Sequence, residues 1–182
     1  MLPEAPSCYY DTRSSVAELT LGAVASAAEA VKRALGVEAE LPRDIRLVIQ
    51  EGPALVLLPS GRVVLGRGGY DPLRRELRLI GDAWCWKTLV HEVLHALSAF
   101  FRVEDLVVRS LVEWRSVVEG LTEFLTGYVL YEDRARGARR CYEYWVEKAY
   151  PPCQISYEPY VRVFAALSRA VVPLRALSLI HI

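Results

Sequence analysis

Residues 87–101 read KTLVHEVLHALSAFF and hold two of the chain's three histidines. His91 and His95 lie four residues apart. On a helix, positions i and i+4 sit one turn apart on one face. Both imidazoles then project the same way and can converge on a single ion. Thr88 and Ser98 share that face, while Trp86, Leu89, Val93, Leu97 and Phe100 occupy the other. The expected helix is amphipathic, with a polar stripe lined by histidine in place of solvating charge. Glu92 directly follows the first histidine, within reach of a water held by the same ion. Two satisfied core histidines are the plain alternative, and a second, independent feature has to decide.

Catalytic zinc takes three protein ligands and leaves one position for solvent. The remaining histidine, His181, lies in the chain's last six residues. The third ligand is therefore expected to be a carboxylate on a later helix. VVEGLTEFLTGY, residues 117–128, offers Glu119 and Glu123 one turn apart in an otherwise apolar segment. Carboxylates among apolar side chains are costly unless paired or metal-bound. Gly120, beside Glu119, leaves room for close helix approach. Glu113 competes but has Val117 where an acidic i+4 partner would stand. Glu104 and Asp105 follow the first helix too closely to fold back onto it. Glu132 and Asp133 sit beside an arginine run and read as solvated charges.

HEVLH is the H-E-x-x-H arrangement of zinc peptidases. Followed by EGLTE, it resembles the gluzincin clan of zinc metallopeptidases, whose core is shared by thermolysin-like and membrane-alanyl-aminopeptidase-like enzymes. The likeness covers residues 91 to 123 and is strongest to the minimal scaffolds of that clan, single small domains with a sheet ahead of the active-site helix. It implies a zinc-dependent hydrolase of peptide bonds, with one Zn2+ per chain and a peptide or protein as substrate. His91, His95 and Glu119 would be the metal ligands, Glu92 the general base, and Glu123 the acceptor of a hydrogen bond from a ligand histidine. Two positions depart from the clan pattern. Val118 stands where an asparagine usually precedes the ligand glutamate, and no later histidine serves the oxyanion. Tyr157 and Tyr160 are the candidates for that last role. Two rival readings stand beside this one: a non-catalytic protein stapled by zinc, favoured if Cys85 or Glu123 completes a closed site, and a helical interaction module without metal.

The rest of the chain is read by periodicity and punctuation. Ser15 and Glu18 form an S-x-x-E capping box for a helix over 16–35, which Gly36 ends. IRLVIQ (45–50), ALVLLP (54–59), RVVLG (62–66) and ELRLIG (76–81) are short runs rich in Val, Ile and Leu. EGP, PSG and GRGGYDP separate them and read as turns. Helices are expected near 84–101, 104–131 with one break before Trp114, 139–149 and 157–171. The expected fold class is α+β and zincin-like. One helix precedes a small, mostly antiparallel sheet of hairpins over 45–81, and a helical half over 84–171 carries the zinc site. All of it forms one domain over 1–176. ELRLI, directly before the active-site helix, is the expected edge for a substrate strand added by β-augmentation.

Lys plus Arg equals Asp plus Glu at 22 each. No charge-based case exists for nucleic acid or an anionic membrane. The start MLPEAPSCYYD has neither a basic region nor an apolar core, so no secretory signal is expected and the cytoplasm is the expected compartment. SSVAELTLGAVASAAEAVKRALG is interrupted by Glu18, Glu29, Lys32 and Arg33, against a membrane span. The chain has 19 Arg against 3 Lys, no Asn, 2 Gln and 1 Met. Adaptation to heat and a GC-rich genome both produce that usage. Cys8, Cys85, Cys141 and Cys153 form no CxxC pair; Cys141 and Cys153 are spaced to be bridged or to remain buried thiols. The final residues LSLIHI match a translation of a transposon end used to tag sequencing libraries. Residues 177–182 are therefore either adapter-derived or a genuine apolar C-terminus.

Overall fold

A computed structural model describes residues 21–50, 54–57, 63–66, 68–80, 86–98, 112–132 and 158–170. Its first element, α1 (Leu21–Leu35), is an alanine-rich segment of high intrinsic helix propensity. Val24, Ala27, Ala28, Val31 and Leu35 recur at helical spacing and are buried. Gly36 ends the helix at φ 64°, a left-handed backbone that only glycine adopts without strain. The N–H groups of Gly36 and Val37 both donate to the Lys32 carbonyl, at 2.8 and 3.3 Å, which satisfies the last turn. The capping box at Ser15 and Glu18 falls outside the described residues.

Five strands follow: β1 (Arg46–Gln50), β2 (Ala54–Leu57), β3 (Val63–Gly66), β4 (Gly68–Asp71) and β5 (Glu76–Ile80). β2 and β3 form the antiparallel hairpin expected around PSG, with Leu57 opposite Val63. The other three make one sheet in the order β1-β5-β4. Here the sequence expectation needs correction. The sheet is mixed: β1 pairs parallel to β5, Arg46 opposite Glu76, and β4 pairs antiparallel to β5, Gly68 opposite Leu79. A parallel pair needs a crossover, and the stretch between β1 and β5 supplies it. GRGGYDP is likewise only partly a turn, because Gly68 to Asp71 are strand. The reversal sits one step later. Asp71 Oδ1 accepts from the Leu73 and Arg74 N–H groups at 3.0 and 3.1 Å, and Arg75 turns left-handed at φ 54°.

The period-two pattern of β5 sets the sheet's two faces. Leu77 and Leu79 are fully buried under the helices. Arg78 lies on the other face, 2.6 Å from Glu76, and Arg46 reaches the same carboxylate at 3.1 Å. Such exposed pairs contribute little to stability.

Three helices follow, α2 (Trp86–Leu97), α3 (Val112–Glu132) and α4 (Glu158–Ala170), and α2 packs on the sheet. α2 is the central element, packed on α1, α3, β4 and β5. The polar histidine stripe expected on this helix is present, and it is enclosed by the neighbouring elements. Every described side chain of α2 is buried except the half-buried Lys87 and His91. Thr88, placed on the histidine face from spacing, turns toward Gly68 of β4. α3 buries Leu121, Phe124, Leu125 and Val129 in the shared core. The close approach that Gly120 permits is made by α4, whose Tyr160 Cβ stands 2.2 Å from where a Cβ on Gly120 would be.

The observed class is α+β. The helix expected over 139–149 and all four cysteines lie outside the described residues, as do residues 104–111 and the 177–182 tail; from Val112 on, α3 runs through Trp114 without the expected break. Among the described residues no helix is long and apolar enough to cross a membrane.

Candidate metal centre

α2 and α3 pack with facing polar stripes inside an apolar core. Lys87, His91 and His95 succeed one another by one turn along α2; Glu119 and Glu123 do so along α3. The stripes interlock in an alternating ladder. Lys87 Nζ lies 2.5 Å from Glu123 Oε1, and Glu123 Oε2 lies 3.1 Å from His91 Nδ1. Glu119 Oε2 lies 3.3 Å from His91 Nε2 and 3.2 Å from His95 Nε2. The two Nε2 atoms are themselves 3.2 Å apart.

His91 Nε2, His95 Nε2 and Glu119 Oε2 thus form a nearly equilateral triangle. Three donors bound at about 2.0–2.1 Å with tetrahedral angles stand about 3.3–3.4 Å apart. The observed sides of 3.2 to 3.3 Å match that spacing. These three residues are the group among the described residues that could hold a metal ion. The donor set of two imidazoles and one carboxylate suits zinc, with a fourth direction left to solvent.

Protonation follows the same geometry. Glu123 is fully buried, and its Oε2 stands 3.1 Å from His91 Nδ1 as an ion pair. That contact fixes the tautomer and turns the Nε2 lone pair toward Glu119 and His95. Thr126 Oγ1 stands 3.5 Å from the same Nδ1 and donates its own proton to the Thr122 carbonyl. In the metal-free protein, burial lowers the pKa of His91. Its hydrogen bonds to Glu119 and Glu123 outweigh burial and push it up to about 10. A proton then occupies Nε2, where the ion would sit. Burial raises the Glu123 pKa, but Lys87 and His91 prevail and hold it down to about 2. Glu119 falls well below its ordinary range in the same way, burial opposing and the two histidines prevailing.

Glu92 differs from both. It is buried between α2 and β4, with its Cγ 3.1 Å from where a Cβ on Gly68 would be. Burial raises its pKa; His91 and His95 oppose that rise and Glu119 adds to it. A carboxylate with raised proton affinity is what a general base needs.

The structure therefore brings together His91, His95, Glu119 and Glu123, with Glu92 alongside on α2. Glu119 meets both histidines, and the Glu113 side chain lies outside the described ones. Tyr160 packs on Gly120, adjacent in sequence to Glu119, and Tyr157 lies outside the described residues. One expectation is overturned: β5 is the central strand, so ELRLI cannot be an edge. The edge beside the site is β4, which packs on α2 at Thr88 and Glu92. Among the described residues, β4 pairs with β5 alone. Lys87 was missed from sequence. Its position one turn before His91, in line with both histidines, is a weak signal that any solvated lysine at a helix start would share.

No family model matches the chain, and neither a curated protein nor a solved structure does.

Proposed function

We propose that this chain is a zinc-dependent peptidase of zincin-like fold, in which His91, His95 and Glu119 hold the metal and Glu92 is the general base. The observation that carries the reading is the triangle of ligand atoms, 3.2 to 3.3 Å on a side, with Glu92, the residue after His91, buried on the same helix and of raised proton affinity. Zinc bound there supplies a Lewis acid that polarises a carbonyl and makes water deprotonatable near neutral pH. Glu92 takes the proton from the attacking water and delivers it to the leaving amine. Glu123 keeps the His91 ring in place through Nδ1. β4 offers main-chain N–H and C=O groups to an extended substrate along its outer edge.

The position of Glu123 weighs against a metal that merely staples the helices. Its oxygens face His91 Nδ1 and Lys87, not the Nε2 triangle, so it is not a fourth ligand. The test is a panel of peptides incubated with zinc-loaded protein and read by mass spectrometry. The parent should cleave some of them. Glu92→Gln should keep its zinc and lose hydrolysis by about 10²–10⁴-fold. Undiminished cleavage by that variant would remove Glu92 as the base, and a parent inert toward the whole panel would remove the peptidase reading.

A further inference from the structure

One member of the ladder has no part in the chemistry above. Lys87 lies one turn before His91 on α2, and its ammonium group meets Glu123 at 2.5 Å. Glu123 is completely buried, and the Lys87 side chain is 18% exposed. A buried carboxylate can swing about its terminal torsion, and its two oxygens compete for whatever cations lie near. Were Glu123 free to turn, its second oxygen could abandon His91 for a metal on the neighbouring triangle. Lys87 engages Oε1, and that leaves Oε2 for the Nδ1–H group of His91. A charge-assisted contact on one oxygen thus fixes the direction of the other.

We infer that Lys87 is a positioning residue for the metal centre: it pins Glu123 to His91 and so holds the Nε2 lone pair of that imidazole on the ligand triangle. The inference rests on the metal-binding part of the proposed function and does not require peptide hydrolysis. It also has a sign. As a mere positive charge near a cation site, Lys87 would weaken metal binding, and its removal would strengthen it. As the anchor of Glu123, its removal weakens binding.

The experiment measures zinc affinity by competition with a chromophoric chelator, on the full chain, for the parent, Lys87→Met, Glu123→Gln and the double variant. Lys87→Met should bind zinc about 10-fold more weakly, at the low end of what partners of ligand histidines contribute. Lys87→Arg, which keeps the charge and a donor, should recover part of the loss. The effect should vanish when Glu123 is already altered, so that Glu123→Gln and the double variant bind alike. The visible absorption of the Co2+-substituted protein should change in the same way in Lys87→Met and Glu123→Gln, because both release the same ring. Lys87→Met leaves a buried carboxylate without its cation and is the variant at risk of misfolding. The comparison of Glu123→Gln with the double variant avoids that risk, since neither leaves a buried unpaired carboxylate at position 123. Unchanged or tighter zinc binding in Lys87→Met would overturn the inference, and so would a further 10-fold loss from Glu123→Gln to the double variant. Either result leaves the zinc site intact, whereas a parent that binds no zinc would instead remove the site itself.

Discussion

At the scale of single residues, the site is a problem of where protons go. His91 carries its proton in the metal-free protein because Glu119 and Glu123 flank it, and its pKa lies at about 10. Metal binding must displace that proton. Zinc added at pH 8 should therefore release about one proton from His91, whereas a histidine of ordinary pKa would release almost none. Titration calorimetry in buffers of different ionisation enthalpy reads this directly, and a binding heat independent of buffer at pH 8 would contradict it. The same shift has a consequence for folding. The folded pKa of His91 lies above the unfolded value of 6.5, so its contribution to stability is full below that pH and is lost as pH rises through about 10. The urea midpoint of metal-free protein should fall across that window. Glu123 acts at the other end: its contribution is present above the ordinary 4.5 and is lost as pH falls through about 2. These roles were largely legible in the sequence, because H-E-x-x-H spacing and two acids one turn apart translate directly into facing stripes. Lys87 was not legible, because a single lysine at a helix start looks like any solvated charge until Glu123 is seen across from it.

At the scale of elements, glycines decide how close the pieces come. Gly68 and Gly69 are adjacent in β4 and point to opposite faces. A Cβ at Gly68 would stand 2.9 Å from Leu79 and Thr88 and 3.1 Å from Glu92, while one at Gly69 meets nothing within 4 Å. Gly68→Ala should cost about 1–3 kcal/mol by overpacking and should disturb Glu92. Gly69→Ala should change stability by less than about 0.5 kcal/mol. Equal denaturation midpoints for the two variants would contradict the packing of β4 on α2. Gly120→Ala should likewise destabilise by about 1–3 kcal/mol, since Tyr160 occupies the space its Cβ needs. The helices α1, α2 and α4 were readable within a few residues from apolar periodicity. Pairing between strands was not. Which strand lies beside β5 depends on a crossover and on distant contacts, so the parallel partner β1 left no local trace. β4 was hidden for a different reason: Gly-Gly and Asp-Pro are turn chemistry by propensity, and burial against α2 overrides it.

At the scale of the whole molecule, a metal held by His91, His95 and Glu119 would join elements that are far apart in the chain. His91 and His95 belong to α2, Glu119 belongs to α3, both helices pack on α1, and α2 also packs on the sheet. A ligand that binds only when these are assembled stabilises the fold by mass action. Free zinc at 100 times its dissociation constant should add about 2.7 kcal/mol, or about 5–10 °C in Tm, and a chelator should remove it. Fold class was legible at this scale because the order of helix, strands and helices survives any error in strand pairing. The most direct measurement is the zinc content of the full chain, purified without an affinity tag and dialysed against metal-free buffer, beside Glu119→Ala. The account predicts one zinc per chain in the parent and none retained by the variant. A parent devoid of zinc after zinc loading, or a variant that still holds one ion per chain, would contradict it.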